Sequence, residues 1–441
     1  MNKKLWIDYA LSQGFTSFEI YQATAEEKNV AWFDHQMDSY VTSHVLGTAL
    51  RGVLDGKMVN LATEDASDEQ METLIADMLR QAAAITSDDA GIIRSPENAI
   101  PLESVRSWKE PAGPEVQAAL SSLEQALASY DPRIIQVTDL SWERSRSVRQ
   151  IVNSNGMDLR DESCYQILMA GVAASDGSEV KTAYKIEVVE DLSAFDQSAF
   201  VKELCEDVLG KLGAKSLKSG SYPVILERKA MTSLFSAFSG MFSGELIGKG
   251  ISPLKDKLDA AVFSEKISVL DDPRDPQVLS CCAFDDEGCP TRAKTLVDVG
   301  VFRMMLHDSK SAARLGAEST GNGFKAGYAS PVGVQPMGLR ILPGEKSLEE
   351  LQTALGDCFV IQEFQGLHAG VDPVTTDFSL QCAGYWVKDG KKERSVTLVT
   401  AAGNFLDLMK KVTEVGNDLD WSYRSIACPS IAFSECAISG E

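Results

Sequence analysis

The chain has 441 residues, 44% hydrophobic and 24% charged, and its 64 acidic against 42 basic residues leave a formal net charge of -22. That size and balance describe a soluble globular protein of two or three domains with an ample core. The same acidity repels phosphate backbones and anionic lipid, which excludes nucleic-acid or membrane binding through bulk charge.

The N-terminus mixes Asp8, Ser12 and Gln13 into its apolar residues, so it has no signal-peptide core, and no stretch approaches the roughly 18 apolar residues of a membrane helix. A cytoplasmic location is expected. Nine irregularly spaced cysteines, without a Cys-x-x-Cys, fit reduced thiols better than a disulfide framework.

In chain order, Leu5, Trp6, Tyr9, Ala10 and Leu11 recur at helical spacing and Gly14 follows, which predicts a helix over 3–13. β-rich runs follow at 18–25, 30–33, 39–48, 49–54 and 58–62, with Asp55-Gly56 as a hairpin turn. Ser67 and Gln70 read as a capping box ahead of a helix striped by Met71, Leu74, Ile75, Met78 and Leu79. Residues 1–86 thus form a helix, meander, helix unit, and the proline-bearing, aperiodic 87–114 reads as a linker. Residues 115–218 repeat the order, with helices over 116–129 and 200–212 and Asn155-Gly156 as a type I′ hairpin signal. Residues 219–441 read as a large, mostly β domain. The fold class is therefore α+β.

In that last domain, residues 230–247 read as one helix with Met231, Leu234, Phe235, Phe238, Met241 and Phe242 on one face and small residues opposite. The stripe is most simply core, and the bare face would let another backbone approach. The stretch 283–323 combines an acidic turn, a hairpin bending at Gly300 and a short helix over 308–315 closed by Gly316. Helix 347–355 follows.

These residues resemble the TldD/PmbA family, described as modulators of DNA gyrase and as peptidases, and within it the PmbA/TldE-like branch. The similarity rests on Gly47 to Leu61 with Arg51 and Asp55-Gly56, on Asn153-Ser154-Asn155-Gly156, and on Gly220-Ser221-Tyr222-Pro223-Val224. Most specific are Phe284-Asp285-Asp286-Glu287-Gly288, Thr320-Gly321-Asn322, Gly366-Leu367-His368-Ala369-Gly370, Asp377-Phe378-Ser379 and Val415-Gly416-Asn417-Asp418-Leu419. The resemblance implies a cytosolic prokaryotic metalloprotease in which a TldD-like subunit and a PmbA-like subunit act as a heterodimer on peptides, in maturation or degradation. It also admits a homodimer of this chain alone.

TldD-type chains carry zinc on a His-Glu-x-x-x-His helix with a later cysteine ligand. Ser236 and Met241 stand here at the two histidine positions and Ala237 at the glutamate position, so the resemblance implies no catalytic residue and no metal or cofactor in this chain, with zinc in the TldD-like partner. Elementary chemistry agrees, since a zinc peptidase needs about three protein ligands, an open position and a carboxylate base. The four histidines, His35, His44, His307 and His368, form no metal-binding spacing. Cys428 lies beyond a shortened segment and takes no ligand role.

Local alternatives remain beside this reading. Cys281, Cys282 and Cys289 are better read as buried thiols than as ligands. Asp285, Asp286 and Glu287 read as a solvated acidic turn before a cation or acid/base site. His368, Gly370, Asp372 and Asp377 are the candidate peptide-groove or ligand-binding residues, because a glycine-flanked loop lets a ligand approach backbone. The rival functions are a non-proteolytic protein that modulates DNA gyrase by binding it, and a stand-alone thiol hydrolase pairing Cys382 or Cys282 with His368.

Overall fold

The computed structural model describes residues 1–86, 89–98, 102 and 106–441. Its N-terminal half holds α1 (Lys3–Ser12), β1 (Ser17–Phe33), β2 (Gln36–Leu54), β3 (Lys57–Thr63), α2 (Met71–Ala82), α3 (Gly113–Ser129), β4 (Ile134–Asn153), β5 (Asp158–Ser175), β6 (Val180–Val188) and α4 (Gln197–Gly210). The fold is α+β, as the sequence predicts, and both helix, meander, helix units are present. Their strands, however, make one antiparallel sheet in the order β3-β2-β1-β4-β5-β6. The units join where β1 pairs with β4, from Glu19 opposite Asn153 to Ala31 opposite Ser141.

The strands are longer than the sequence runs, because local interruptions such as Glu26-Glu27-Lys28 do not break a ladder paired on both sides. Turn chemistry is partly as read. Asp55 and Gly56 both have positive φ, as a type I′ turn requires. Asn155-Gly156 is not type I′: only Gly156 is left-handed, and the Asn153 side chain instead accepts from the Asn155 and Met157 amides. Ser67 makes no capping bond; Asp68 binds the Asn2 amide and the Trp6 indole, tying α2 to α1.

Alternation along the strands assigns two faces. Phe18 and Ile20 face the core under α1 and α2, while Val30, Trp142 and Leu168 face that under α3 and α4. On the opposite face Tyr21, Ala49 and Ile151 pack against Ala283 and Phe284 of the C-terminal half.

That half contains β7 (Gly220–Leu226), α5 (Arg228–Phe238), α6 (Gly244–Gly248), β8 (Val269–Asp271), β9 (Lys294–Asp298), β10 (Val301–Phe302), α7 (Ser309–Leu315), β11 (Gly323–Lys325), β12 (Val332–Val334), β13 (Leu339–Ile341), α8 (Leu348–Leu355), β14 (Cys358–Gln365), β15 (Asp377–Lys388), β16 (Lys391–Asn404), α9 (Phe405–Lys410), β17 (Val412–Val415), β18 (Ile426–Ala427) and β19 (Ile431–Ser439). One sheet runs β16-β15-β14-β7-β19-β17, and a further β16 to β19 pairing closes five of its strands into a ring. A second sheet, β10-β9-β8-β13-β18, and the β11-β12 pair complete the domain. The single helix predicted over 230–247 is instead α5, a 3-10 turn and α6, broken near Ser239-Gly240, with Ser243 capping α6.

Where the C-terminal half meets the sheet, a Cβ on Gly47 would lie 2.2 Å from the Tyr328 ring, whose hydroxyl bonds Glu64. G47A is expected to displace that ring and cost about 1–3 kcal/mol, the usual range for overpacking. A melting comparison in which G47A loses stability and G47A/Y328A regains part of it would bear this out, whereas an unchanged G47A would mean that the ring yields freely.

Candidate functional site

The helix to which the resemblance would assign metal chemistry is built here from the N-terminus of α5 onward. β7 ends at Leu226, and the Glu227 amide donates to Ile361 of β14 at 2.9 Å, fixing where the chain turns into the helix. The Arg228 amide is capped by the Ser430 hydroxyl at 3.0 Å, and Ser430 is held by Asp418 through its amide and hydroxyl at 2.8 and 2.7 Å. A Cβ on Gly416 would press on Asp418 and on the Ser430 carbonyl, which gives the Val415 to Leu419 stretch a structural role. One turn into α5, Thr232 Oγ1 accepts from the Cys428 amide at 2.9 Å.

Ser236 turns its hydroxyl back onto the Thr232 carbonyl at 2.6 Å. Met241 lies beyond the end of α5, in the 3-10 turn, and is buried in the main core with Met231, Leu234, Phe235, Phe238 and Phe242. Ala237 has neither a ligating atom nor a proton acceptor on its side chain. Cys428 is wholly buried, and that burial pushes its thiol upward. Among the described residues no three His, Cys, Asp or Glu side chains gather as a metal-holding group. The residues at this position do not fit a zinc ion.

Phe238 continues the helix face toward a second element, stacking on Phe405 of α9 with ring centroids 4.7 Å apart. The Phe405 amide donates to the Thr376 carbonyl at 2.7 Å, in the loop between β14 and β15. His368, Gly370 and Asp372 lie in that loop, and Asp377 opens β15. Gly370 donates to the Gly366 carbonyl, and a Cβ there would strike Ser379 O at 2.5 Å. The Asp372 carboxylate accepts from the Val374 and Thr375 amides, which lowers its pKa, and Asp377 accepts from the Asn404 side chain at 2.9 Å. Both carboxylates thus shape the loop, while His368 is exposed.

Cys382 and Cys282 are buried and their thiols are pushed up to about 12 by that burial, the reverse of an activated nucleophile. His368 is exposed while both thiols are buried, which does not favour a thiol hydrolase. Cys281 is partly buried and Cys289 buried.

The acidic turn is not solvated, contrary to the turn reading: Asp285, Asp286 and Glu287 are all buried. It docks instead onto charged groups of the N-terminal sheet. Arg51 of β2 lies 2.6 Å from Glu19 of β1 and 3.5 Å from Glu287. Arg149 of β4 binds Asp286 at 2.7 Å and the Phe284 carbonyl at 2.5 Å, and the Tyr21 hydroxyl donates to Asp286 at 3.1 Å. Asp285 accepts from the Glu287, Cys289 and Gly323 amides, each at 2.9 Å, and Glu287 accepts from the Ser309 amide. Burial works against charge on Arg51, yet Glu19 and Glu287 hold its pKa above the ordinary value. Burial and the Glu287 charge push Asp285 up to about 7 despite its three donors. Lys325, partly buried and beside Arg51, is lowered to about 8.

The Thr320-Gly321-Asn322 stretch serves a neighbouring buried pair. Lys294 lies 3.0 Å from Asp271 and donates to Asn322 Oδ1 at 2.8 Å, while Asn322 donates to Asp271 at 2.9 Å. Sequence reasoning missed both networks, because Glu19, Arg51, Arg149 and Glu287 come from distant parts of the chain. The one available signal was three consecutive acids flanked by Ala283-Phe284 and Cys289, an apolar setting unusual for a solvated turn.

Replacing Arg51 by Met strands two buried carboxylates, so R51M is expected to lose about 3–5 kcal/mol in chemical denaturation. The triple variant E19Q/R51M/E287Q should recover part of that loss; equal losses would show that packing, not charge, is at issue. For Asp285 the folded pKa is raised, so its stabilising contribution is fully present below the ordinary carboxyl value and is lost as pH rises through about 7. The stability deficit of D285N relative to the parent is therefore expected to be larger at about pH 5 than at about pH 8. A deficit that grew toward the alkaline side would mean that the three amide donors keep the carboxylate ionised.

With this geometry established, comparison with known proteins identifies the frame. Residues 219–440 match the PmbA/TldA metallopeptidase C-terminal domain and residues 107–212 the central domain. The chain is 27% identical over 319 residues to metalloprotease PmbA of Escherichia coli O157:H7, covering 72% of this chain and 68% of that one. It is 27% identical over 387 residues to the PmbA homolog of Haemophilus influenzae, covering 86% and 83%. A Thermotoga maritima structure described as a proposed modulator of a DNA gyrase superposes with a TM-score of 0.90 at 27% identity, over 99% of both chains. TldE from Thermococcus kodakarensis gives 0.90 at 22% identity over 99% of this chain and 100% of that one, a likeness of fold. No helix among the described residues is long and apolar enough to cross a membrane. Two matched domains that together span the central and C-terminal parts of the chain place it in the PmbA/TldD metallopeptidase family.

Proposed function

We propose that this chain is the PmbA/TldE-like subunit of a cytosolic two-chain metalloprotease of the TldD/TldE type, acting in peptide maturation or degradation. It contributes peptide-binding surface, and the TldD-like partner contributes zinc. The observation that carries this reading is the helix α5 position: Ser236 bonded to its own helix, Ala237 without a proton acceptor and Met241 inside the core. A metallopeptidase fold that keeps its frame but lacks ligands and base there is suited to complete a groove beside a subunit that has them. Affinity for an extended peptide then comes from main-chain pairing with a strand edge, which makes little demand on sequence. His368, Gly370, Asp372 and Asp377 are the groove residues we assign, since their loop is linked through Phe405 to the end of α5.

Co-expression with a family member carrying His-Glu-x-x-x-His is expected to yield a stable complex that cleaves an unstructured peptide and stops when zinc is chelated. The isolated chain should neither take up stoichiometric zinc nor cleave. Tight zinc binding by the chain alone, or cleavage that survives chelator, would overturn the reading. The gyrase reading has in its favour the descriptions given to solved relatives such as the Thermotoga maritima structure.

A further inference from the structure

The surface along the outer edge of β16 is basic in a chain whose net charge is -22. Lys388 and Lys391 stand opposite each other at the β15 to β16 turn, and Lys392, opposite Val387, rests over the Tyr385 ring. The segment between α4 and β7 lies against the same strand. There the Lys215 amide donates to the Ser395 carbonyl, the Thr397 amide donates to the Lys215 carbonyl, and Arg394 donates to the carbonyls of Lys215 and Ser216. Lys218 follows on that segment. Lys215, Lys218, Lys388, Lys391 and Lys392 are exposed, and among the described residues none of them has an ion-pair partner. The acids at the margin of this strip are Asp357, Asp389, Glu393 and Glu441, fewer than its basic groups.

An apolar side chain stands among these cations. Leu398, at 69% exposure, is the most exposed large hydrophobic residue among the described residues, and its φ of 56° is left-handed, where a bulky side chain is an outlier. It lies where β16 passes from the Lys215 pairing to the β19 pairing that begins at Thr400, beside a register shift against β15, and its carbonyl accepts from the Ser216 hydroxyl. The core gains nothing from it. Lysines around an exposed leucine ask two things of a ligand, negative charge and one apolar side chain. From Lys391 to Leu398 the strand spans about 20 Å, the length of roughly six residues of extended peptide. A nucleic acid or a lipid surface extends well past that, and it meets the acidic remainder of the chain, whose repulsion reaches about 10 Å at ordinary salt.

We propose that this edge, with Lys215, Lys218, Lys391, Lys392 and Arg394 around Leu398, is a docking site for a short acidic segment of another protein that carries an apolar residue. Carboxylates of the segment meet the lysines, and its apolar side chain covers Leu398. The site uses neither zinc nor the His368 loop, so it stands or falls apart from the subunit reading above.

The test uses the full chain and the fluorescently labelled peptide Glu-Glu-Leu-Glu-Ser-Glu, followed by anisotropy. Saturable binding is expected, weakening about tenfold as salt rises from about 50 to about 300 mM. K215E/K218E should weaken it about tenfold at low salt, whereas K255E/K257E, the same charge change on the segment after α6, should bind like the parent. L398N should also bind more weakly with its melting temperature unchanged or raised, because asparagine tolerates the left-handed backbone better than leucine. The peptide with serine in place of its leucine should bind the parent about as weakly as the original binds L398N. Absence of saturable binding by the parent, equal weakening in the two double variants, or full binding by L398N would each overturn the proposal. So would tighter binding of a single-stranded oligonucleotide of similar length, or of vesicles of equimolar phosphatidylserine and phosphatidylcholine, since the occupant would then be a nucleic acid or a membrane.

Discussion

The architecture depends on one buried ionic junction. Glu19 and Arg51 on adjacent strands of the N-terminal sheet meet Glu287, and the partly exposed Arg149 meets Asp286, with the other four side chains buried. Desolvating that many charges is expensive, and their attraction offsets it only when the geometry is good and the remaining oxygens are bonded. Those oxygens are bonded: backbone amides of residues 287, 289, 309, 323 and 325 supply the donors. The strands that carry the basic groups are therefore committed to one docking position for the C-terminal half. An apolar junction of similar area would hold as well but would tolerate sliding. The ion pairs act as a register between the halves.

The same logic runs through the C-terminal domain, where buried polar groups set positions and the apolar core supplies stability. Lys294, Asp271 and Asn322 lock the second sheet to the turn at 320–322, and Asp418 through Ser430 holds the start of α5. Around them, aromatic contacts of Phe235, Phe238, Phe242, Phe302 and Phe405 fill the interior. The frame is thus fully built around helix α5. At this helix Ser236 closes its hydrogen bond within the helix and Met241 fills core volume.

Much of this was legible in the residues. Period-2 and period-3.6 patterns located most elements, Gly316 and Ser347 marked ends that the structure shows as left-handed cap and capping box, and the Met231 to Phe242 stripe is core as read. The missed features share a cause. The acidic turn at 285–287 was read from local turn chemistry, which is right about its backbone and silent about a sheet that packs onto it from elsewhere in the chain. The break after Phe238 was hidden because Ser239 and Gly240 are tolerable in a helix, and only the cap at Ser243 with the Leu306 pairing to Gly244 ends it. Likewise, nothing local distinguishes two meanders lying apart from two that pair through β1 and β4.

What the sequence determined by itself is therefore whatever depends on neighbours along the chain: the helices, the hairpin turns at Asp55-Gly56 and Val299-Gly300, and the family motifs. What only the tertiary structure decided depends on groups far apart in the chain but close in space. The joining of two units into one sheet and the burial of Asp285, Asp286 and Glu287 against Arg51 and Arg149 are both of this kind. Hydrogen-bond pairing and desolvation are set by which surfaces meet, and that choice is made by the whole packed chain.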